Sequence, residues 1–136
     1  MSEKPSDRRP TVRNPPVIPE TAVRKSIRDW LDLQHIPHIP VEARKPLRMP
    51  DGSVFFVNER EEDKGIADII AFRQRGWIGS TGEHICAPIA IEVKRSRGGV
   101  QSDAQKAFQA RWEAWGFQYI LAPSLEVVIA QWPRRR

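Results

Sequence analysis

Hydrophobic residues recur along residues 20–34 with the spacing of an amphipathic helix. They are Val23, Ile27, Trp30 and Leu31, which lie at intervals of four, seven and eight positions from the first. This spacing puts apolar side chains on one face of an α-helix. Pro37 and a second proline at position 40 follow, and proline disfavours helical backbone in the residue before it. The pattern therefore predicts a helix that ends before Pro37.

Two later segments have the patterns of strands. Residues 66–72, IADIIAF, form a short apolar run that is typical of a buried strand. Residues 89–94 alternate, which predicts a strand with Ile89, Ile91 and Val93 on one face and Ala90, Glu92 and Lys94 on the other. Residues 73–87 between them contain three glycines, which indicates a hairpin or a loop excursion.

The remaining elements follow from turn and helix signals. Asp51-Gly52 predicts a tight turn before a short strand at 54–57. Residues 102–115 predict a second amphipathic helix, with Gly116 at its C-terminal cap. Residues 117–121 predict a strand, and residues 124–130 either a short helix or a final strand. The expected fold is α/β, a mixed central β-sheet flanked by helices in the order αβββαβ.

Composition limits the possible classes of protein. The 136 residues suggest one domain, and a single cysteine excludes an intrachain disulfide framework and a multi-cysteine zinc site. Residues 1–19 hold five prolines and predict a flexible arm, residues 20–131 the folded domain and residues 132–136 a basic tail. The N-terminus lacks the apolar stretch of a secretory signal and no apolar run is long enough to span a bilayer, so we expect a cytoplasmic protein without membrane contact. The net charge of +5 is a mild indication of a polyanionic partner.

Two carboxylates stand out because their surroundings are apolar. Asp68 is the one charged residue in IADIIAF, and Glu92 shares a strand face with Lys94. Antiparallel pairing of the two strands would bring the carboxylates together, and a divalent cation relieves the repulsion between them. The alternatives are an aspartate that accepts main-chain N–H groups at a strand end, and a Glu–Lys contact where the strand emerges into solvent.

Gln105 and Glu20 are ambiguous. Ser102-Asp103-Ala104-Gln105 has the spacing of a capping box, in which Gln105 would bond back to the Ser102 N–H. We expect that one side chain cannot hold this contact and a site contact equally well. Glu20 precedes the apolar stripe by three residues and would point inward if the helix begins that early, or would simply stabilise the first turn.

Together these residues resemble the VRR-NUC family of the PD-(D/E)XK nucleases, and are similar to those of Holliday junction resolvases. The resemblance rests on Gly65-x-x-Asp68, Glu92-Val93-Lys94, Gln105 and Gly116-Phe117, and covers roughly residues 20–130. One departure is Ala67, where the family has proline. The resemblance implies a restriction-endonuclease-like core with Asp68, Glu92, Lys94 and Gln105 as catalytic residues. It implies Mg²⁺ or Mn²⁺ held by Asp68, Glu92 and the Val93 carbonyl, with Glu20 as a further ligand, directly or through water.

The resemblance also implies a reaction and partners. We expect metal-dependent hydrolysis of DNA phosphodiester bonds, with branched DNA as the substrate and a homodimer as the active form. Arginines that could touch phosphates are Arg73, Arg75, Arg95, Arg97 and Arg111, although a solvated charged surface explains them equally well. The chain has no GxxxxGK or GxGxxG motif, so we expect no nucleotide cofactor. The alternative is a nuclease-fold module that binds DNA without cleaving it.

Overall fold

The computed structural model describes residues 15–41, 47–55, 64–78 and 83–133. Within these ranges the chain forms three helices and six strands. The helices are α1 (Glu20–Leu33), α2 (Asp103–Ala114) and α3 (Leu125–Gln131). The strands are β1 (His38–Pro40), β2 (Leu47–Arg48), β3 (Val54–Phe55), β4 (Ile69–Ile78), β5 (Glu83–Val93) and β6 (Gln118–Ala122). The chain is therefore an α/β protein, as the sequence predicts.

Four of the strands form one mixed sheet in the order β1-β4-β5-β6. The β1–β4 and β4–β5 pairs are antiparallel, whereas β5 and β6 are parallel and are joined through α2. A parallel pair needs such a crossover because a tight turn cannot return the chain to the same end of the sheet. The short strands β2 and β3 pair with each other around Asp51-Gly52, which confirms the predicted turn.

The two faces of the sheet pack against different helices. Ile89, Ile91 and Val93 lie in the larger core with apolar residues of α1 and α3. On the opposite face Ala90 packs with Phe108 of α2. Val23, Ile27 and Leu31 are almost fully buried, so the spacing along α1 identified its inner face correctly. The predicted division of residues 89–94 between two faces is confirmed.

Several elements differ from the expectation. Residues 73–78 and 83–88 continue β4 and β5, so of the two alternatives expected for residues 73–87 the hairpin is confirmed, with longer strands than predicted and with residues 79–82 outside the described residues. Residues 66–68 precede the strand rather than belonging to it. Strand β1 was not predicted, because its prolines signalled only the end of a helix. Pro40 is tolerated there since β1 lies at the edge of the sheet.

The chain segments at either end of the expected domain are described in part. Residues 15–19 are extended and exposed, and Ile18 exchanges two hydrogen bonds with Ser96: its N–H donates to Oγ at 2.7 Å and its carbonyl accepts at 3.0 Å. The rest of the expected arm, residues 1–14, and Arg134–Arg136 of the basic tail lie outside the described residues. In the described part of the chain, no helix has both the length and the apolar character needed to cross a membrane.

Candidate active site

The predicted carboxylates meet at one end of the β4–β5 pair. Ile69, the first residue of β4, is paired with Ile91 in β5. Asp68, immediately before β4, therefore lies at the same end of the strand pair as Glu92. This confirms the antiparallel arrangement expected from the sequence. Lys94 leaves the same end of β5, and Gln105 reaches it from the first turn of α2. Four residues from three separate segments of the chain therefore form one cluster.

Both oxygens of Asp68 have partners. Oδ2 accepts a hydrogen bond from the main-chain N–H of Val93 at 2.7 Å. It thereby takes the place of a main-chain carbonyl of a neighbouring strand as the acceptor for that N–H. Oδ1 accepts from the guanidinium of Arg24 in α1 at 3.1 Å. The expectation of an aspartate that accepts a main-chain N–H at a strand end is therefore met, and a cation from the neighbouring helix balances its charge.

Glu92 is buried, with only 2 % of its surface exposed. Its Oε1 accepts from Gln105 Nε2 at 2.6 Å and lies 3.6 Å from Lys94 Nζ, whereas the buried Oε2 accepts no hydrogen bond from the described residues. Burial raises the pKa of Glu92 to about 8. The negative charge of Asp68 and a hydrogen bond from the protonated carboxyl to Asp68 also raise this pKa, while Lys94 opposes the shift. Lys94 is buried as well, so the alternative of a strand end emerging into solvent is wrong.

Gln105 serves the helix cap and the cluster at once, which corrects our expectation. Its Oε1 accepts from the Ser102 N–H at 2.9 Å and from Lys94 Nζ at 2.8 Å. Its Nε2 donates to Glu92, and the Ser102 hydroxyl completes the capping box by accepting from the Gln105 N–H. The amide can do this because its oxygen has two lone pairs and its nitrogen a separate pair of donors.

Two glycines allow the main chain to close around the cluster. A Cβ at Gly65, where φ is +79°, would lie 2.3 Å from the carbonyl carbon of Ala104 at the start of α2. A Cβ at Gly99 would lie 2.9 Å from Cβ of Lys94. Any side chain at Gly65 would therefore force the segment before Asp68 away from the helix that carries Gln105.

Glu20 does not face inward as expected. It is the first residue of α1 and is exposed, which agrees with the alternative of an acidic residue that stabilises the first helical turn. One turn later, Arg24 reaches Asp68 instead. Sequence reasoning missed Arg24, although a signal was present: it flanks Val23 and precedes Ile27 by three residues, at the border of the buried stripe.

The five candidate arginines are spread over the molecule. Arg95 and Arg97 are exposed in the loop just after Lys94, where they donate to the carbonyls of Gly98 and Pro15 respectively. Arg73 lies well along β4, five residues beyond Asp68, and Arg111 lies beyond Gln105 on α2. Arg75 belongs to β4, but its side chain is outside the described part of the structure. Only Arg95 and Arg97 therefore follow directly on the cluster.

The donor set fits a hard divalent cation. Mg²⁺ is usually held by one or two carboxylates and completes its shell with water and substrate phosphate, so Asp68 and Glu92 would suffice. Oε2 of Glu92, which accepts no hydrogen bond from the described residues, is the oxygen that such an ion would use. The carbonyl of Val93 points to the same side of β5 as its N–H, and that side of the strand faces Asp68. No group of three or more His, Cys, Asp or Glu residues that could hold a metal occurs among the described residues.

Comparison with known proteins gives no family assignment. No family model, no curated protein and no solved structure matches the chain significantly. The residues of the cluster and their geometry are therefore what indicate a function.

Proposed function

We propose that this protein is a metal-dependent endonuclease with a restriction-endonuclease-like core, which hydrolyses phosphodiester bonds in DNA. The observation that carries the proposal is the buried Oε2 of Glu92, which accepts no hydrogen bond from the described residues and lies in one cluster with Asp68 and Lys94. A buried carboxylate of this kind is costly to ionise unless a cation or a donor joins it, which is why the pKa of Glu92 is raised in the metal-free protein. A Mg²⁺ or Mn²⁺ ion held by Asp68 and Glu92 would remove that cost.

Each residue of the cluster then has a distinct task. The metal, when bound, would lower the pKa of a coordinated water and withdraw charge from the scissile phosphate. The ammonium of Lys94 would stabilise the charge that develops on the phosphate and would orient the attacking water. Gln105 fixes Lys94 and Glu92 relative to each other, since its amide bonds to both.

The substrate and the assembly are part of the same proposal. Resemblance to junction resolvases favours branched DNA, with a Holliday junction or a flap as the substrate, in replication, recombination or repair. A homodimer would place two such clusters on a symmetric substrate. Arg95 and Arg97, which follow the cluster in the exposed loop after β5, are suited to contact the DNA backbone near the scissile phosphate.

A second candidate function is a DNA-binding module that has kept the fold without catalysis. It is favoured by the pairing of Asp68 with Arg24, because a guanidinium already balances the charge that a metal would balance. In that case the cluster would be an internally neutralised polar network.

Cleavage of labelled DNA separates the two candidates. The panel is a four-way junction, a flap, a single strand and a plain duplex, each with Mg²⁺, Mn²⁺ or EDTA. The variants are Asp68→Asn and Lys94→Ala, with Asp29→Asn as the matched control because Asp29 is an exposed aspartate of α1 that pairs only with Lys25 among its described contacts.

We expect cleavage that requires metal, is lost in Asp68→Asn and Lys94→Ala, and is retained in Asp29→Asn. The preferred member of the panel would then identify the substrate class. Binding without cleavage under every condition would favour the DNA-binding module. Neither binding nor cleavage on any DNA would contradict both candidates.

A further inference from the structure

The partner of Asp68 in α1 has a consequence for metal binding. Arg24 Nη2 lies 3.1 Å from Oδ1, the oxygen of Asp68 that the main chain leaves free, because Oδ2 is taken by the Val93 N–H. A cation that bridges Asp68 and Glu92 would need an oxygen from each carboxylate. On Asp68, Oδ1 carries the guanidinium of Arg24, whose positive charge and bulk oppose a cation at the same oxygen. On Glu92 the oxygen is Oε2, which accepts no hydrogen bond from the described residues.

The ion pair between Arg24 and Asp68 is exposed enough to solvent to separate. The side chain of Arg24 is 36 % exposed and that of Asp68 is 23 % exposed, whereas Glu92 and Lys94 are buried. A half-exposed arginine can move its guanidinium into water at little cost, since salt bridges of this kind contribute modestly to stability. The Val93 N–H would continue to hold Asp68 in position after Arg24 has left.

Resting on the proposed function, we propose that Arg24 and the catalytic divalent cation compete for Oδ1 of Asp68. Arg24 is then an internal counter-ion that neutralises Asp68 in the metal-free protein and is displaced when the metal binds. The displaced guanidinium would remain beside the site, where it can pair with the negative phosphate of the substrate. Arg24 is thus a positioning residue for the metal site, and its removal should tighten metal binding.

The test compares Mn²⁺ affinity in Arg24→Gln and Arg28→Gln by the electron paramagnetic resonance signal of free Mn²⁺. Arg28 lies one helical turn further along α1 and is exposed, so its replacement removes the same charge without removing a contact to Asp68. We expect Arg24→Gln to bind Mn²⁺ about two- to fivefold more tightly than wild type. Arg28→Gln should change the affinity less. When Asp68→Asn is combined with Arg24→Gln, the tighter binding of Mn²⁺ should be lost.

A second readout does not depend on any variant of Arg24. In the wild-type protein, the Nε–H resonance of Arg24 should shift on titration with Mg²⁺, and the shift should be absent in Asp68→Asn. Equal affinities in Arg24→Gln and Arg28→Gln, weaker binding in Arg24→Gln, or an unchanged Arg24 resonance at saturating Mg²⁺ would each overturn the competition.

These outcomes are distinguishable from failure of the proposed function. Wild-type Mn²⁺ binding that depends on Asp68 but is indifferent to Arg24 removes only the competition. Absence of Mn²⁺ binding in wild type, Arg24→Gln and Arg28→Gln alike removes the metal-dependent nuclease and the competition together. Binding by Arg24→Gln with none by wild type would support the competition in its strongest form.

Discussion

The side-chain amide of Gln105 donates to Oε1 of Glu92 across 2.6 Å, which ties the N-terminus of α2 to the acidic cluster. The oxygen of the same amide accepts a hydrogen bond from the Ser102 N–H and forms one half of the capping box. A displacement of the first turn of α2 would therefore move the group that orients Glu92 and Lys94. The helix cap and the candidate active site are one hydrogen-bonded unit.

The two roles of Gln105 can be separated by comparing Ser102→Ala with Gln105→Ala. Ser102→Ala removes only the hydroxyl that accepts from the Gln105 N–H, so we expect a loss of about 1 kcal/mol in the free energy of unfolding with cleavage retained. Gln105→Ala also removes the contacts to Glu92 and Lys94. We expect it to lower kcat by about 10- to 100-fold, as for groups that orient metal ligands.

Urea unfolding and single-turnover cleavage of the preferred DNA measure the two effects on the same preparations. The expected result is that Ser102→Ala lowers the free energy of unfolding without lowering kcat, whereas Gln105→Ala lowers kcat. A similar fall in kcat for both variants at equal stability would mean that Gln105 acts only through the helix cap.

Gly65 offers a test of the close packing beside Asp68, with Gly116 as its matched control. Both glycines have positive φ, +79° and +89°, so alanine strains the main chain at either position. A Cβ at Gly65 would meet the main chain of Ala104, whereas a Cβ at Gly116 would meet no atom of the described residues within 4 Å. We expect Gly116→Ala to cost about 1 kcal/mol of unfolding free energy and Gly65→Ala distinctly more, with loss of cleavage.

Thermal and urea unfolding of both variants give the comparison directly, because the contribution of positive φ is common to the two. Equal destabilisation would show that the segment before Asp68 can move away from α2 without penalty. The tight approach at Gly65 would then have no bearing on the candidate site.

The sequence was sufficient for the main elements of the sheet and for naming the four members of the cluster. Apolar spacing located α1 and α2, and the period of two assigned Glu92 and Lys94 to one face of β5. The extent of burial was not accessible in the same way. The sequence around Glu92 is equally compatible with an exposed strand end, and only the position of α2 over that face decides that Glu92 and Lys94 are buried.

The errors at Glu20 and Arg24 have a common cause. Helical periodicity specifies a face to within a residue or so, and it does not specify where along the helix a distant loop will approach. Asp68 meets α1 one turn after its start, so the side chain that contacts it is Arg24, not Glu20. Similarly, β1 depends on pairing with β4, which is a long-range interaction that local signals do not report.

The raised pKa of Glu92 predicts how the stability of the metal-free protein depends on pH. The carboxyl has an ordinary pKa of 4.5 and one of about 8 in the folded protein. The folded state therefore keeps a proton that the unfolded state releases above pH 4.5. Stability from this group is fully present below pH 4.5 and is lost as pH rises toward about 8, with a slope of up to about 1.4 kcal/mol per pH unit.

Urea unfolding in EDTA between pH 5 and pH 9 measures this loss, and Glu92→Gln is the control because an amide does not titrate. We expect the stability of wild type to fall relative to Glu92→Gln over the interval from about 4.5 to about 8 and to level off above it. The sign of the change in stability with pH distinguishes two cases. If Lys94 were the main influence on Glu92, the pKa of Glu92 would be lowered and stability would rise with pH. A flat difference between the two proteins would mean that the burial of Glu92 does not govern its ionisation.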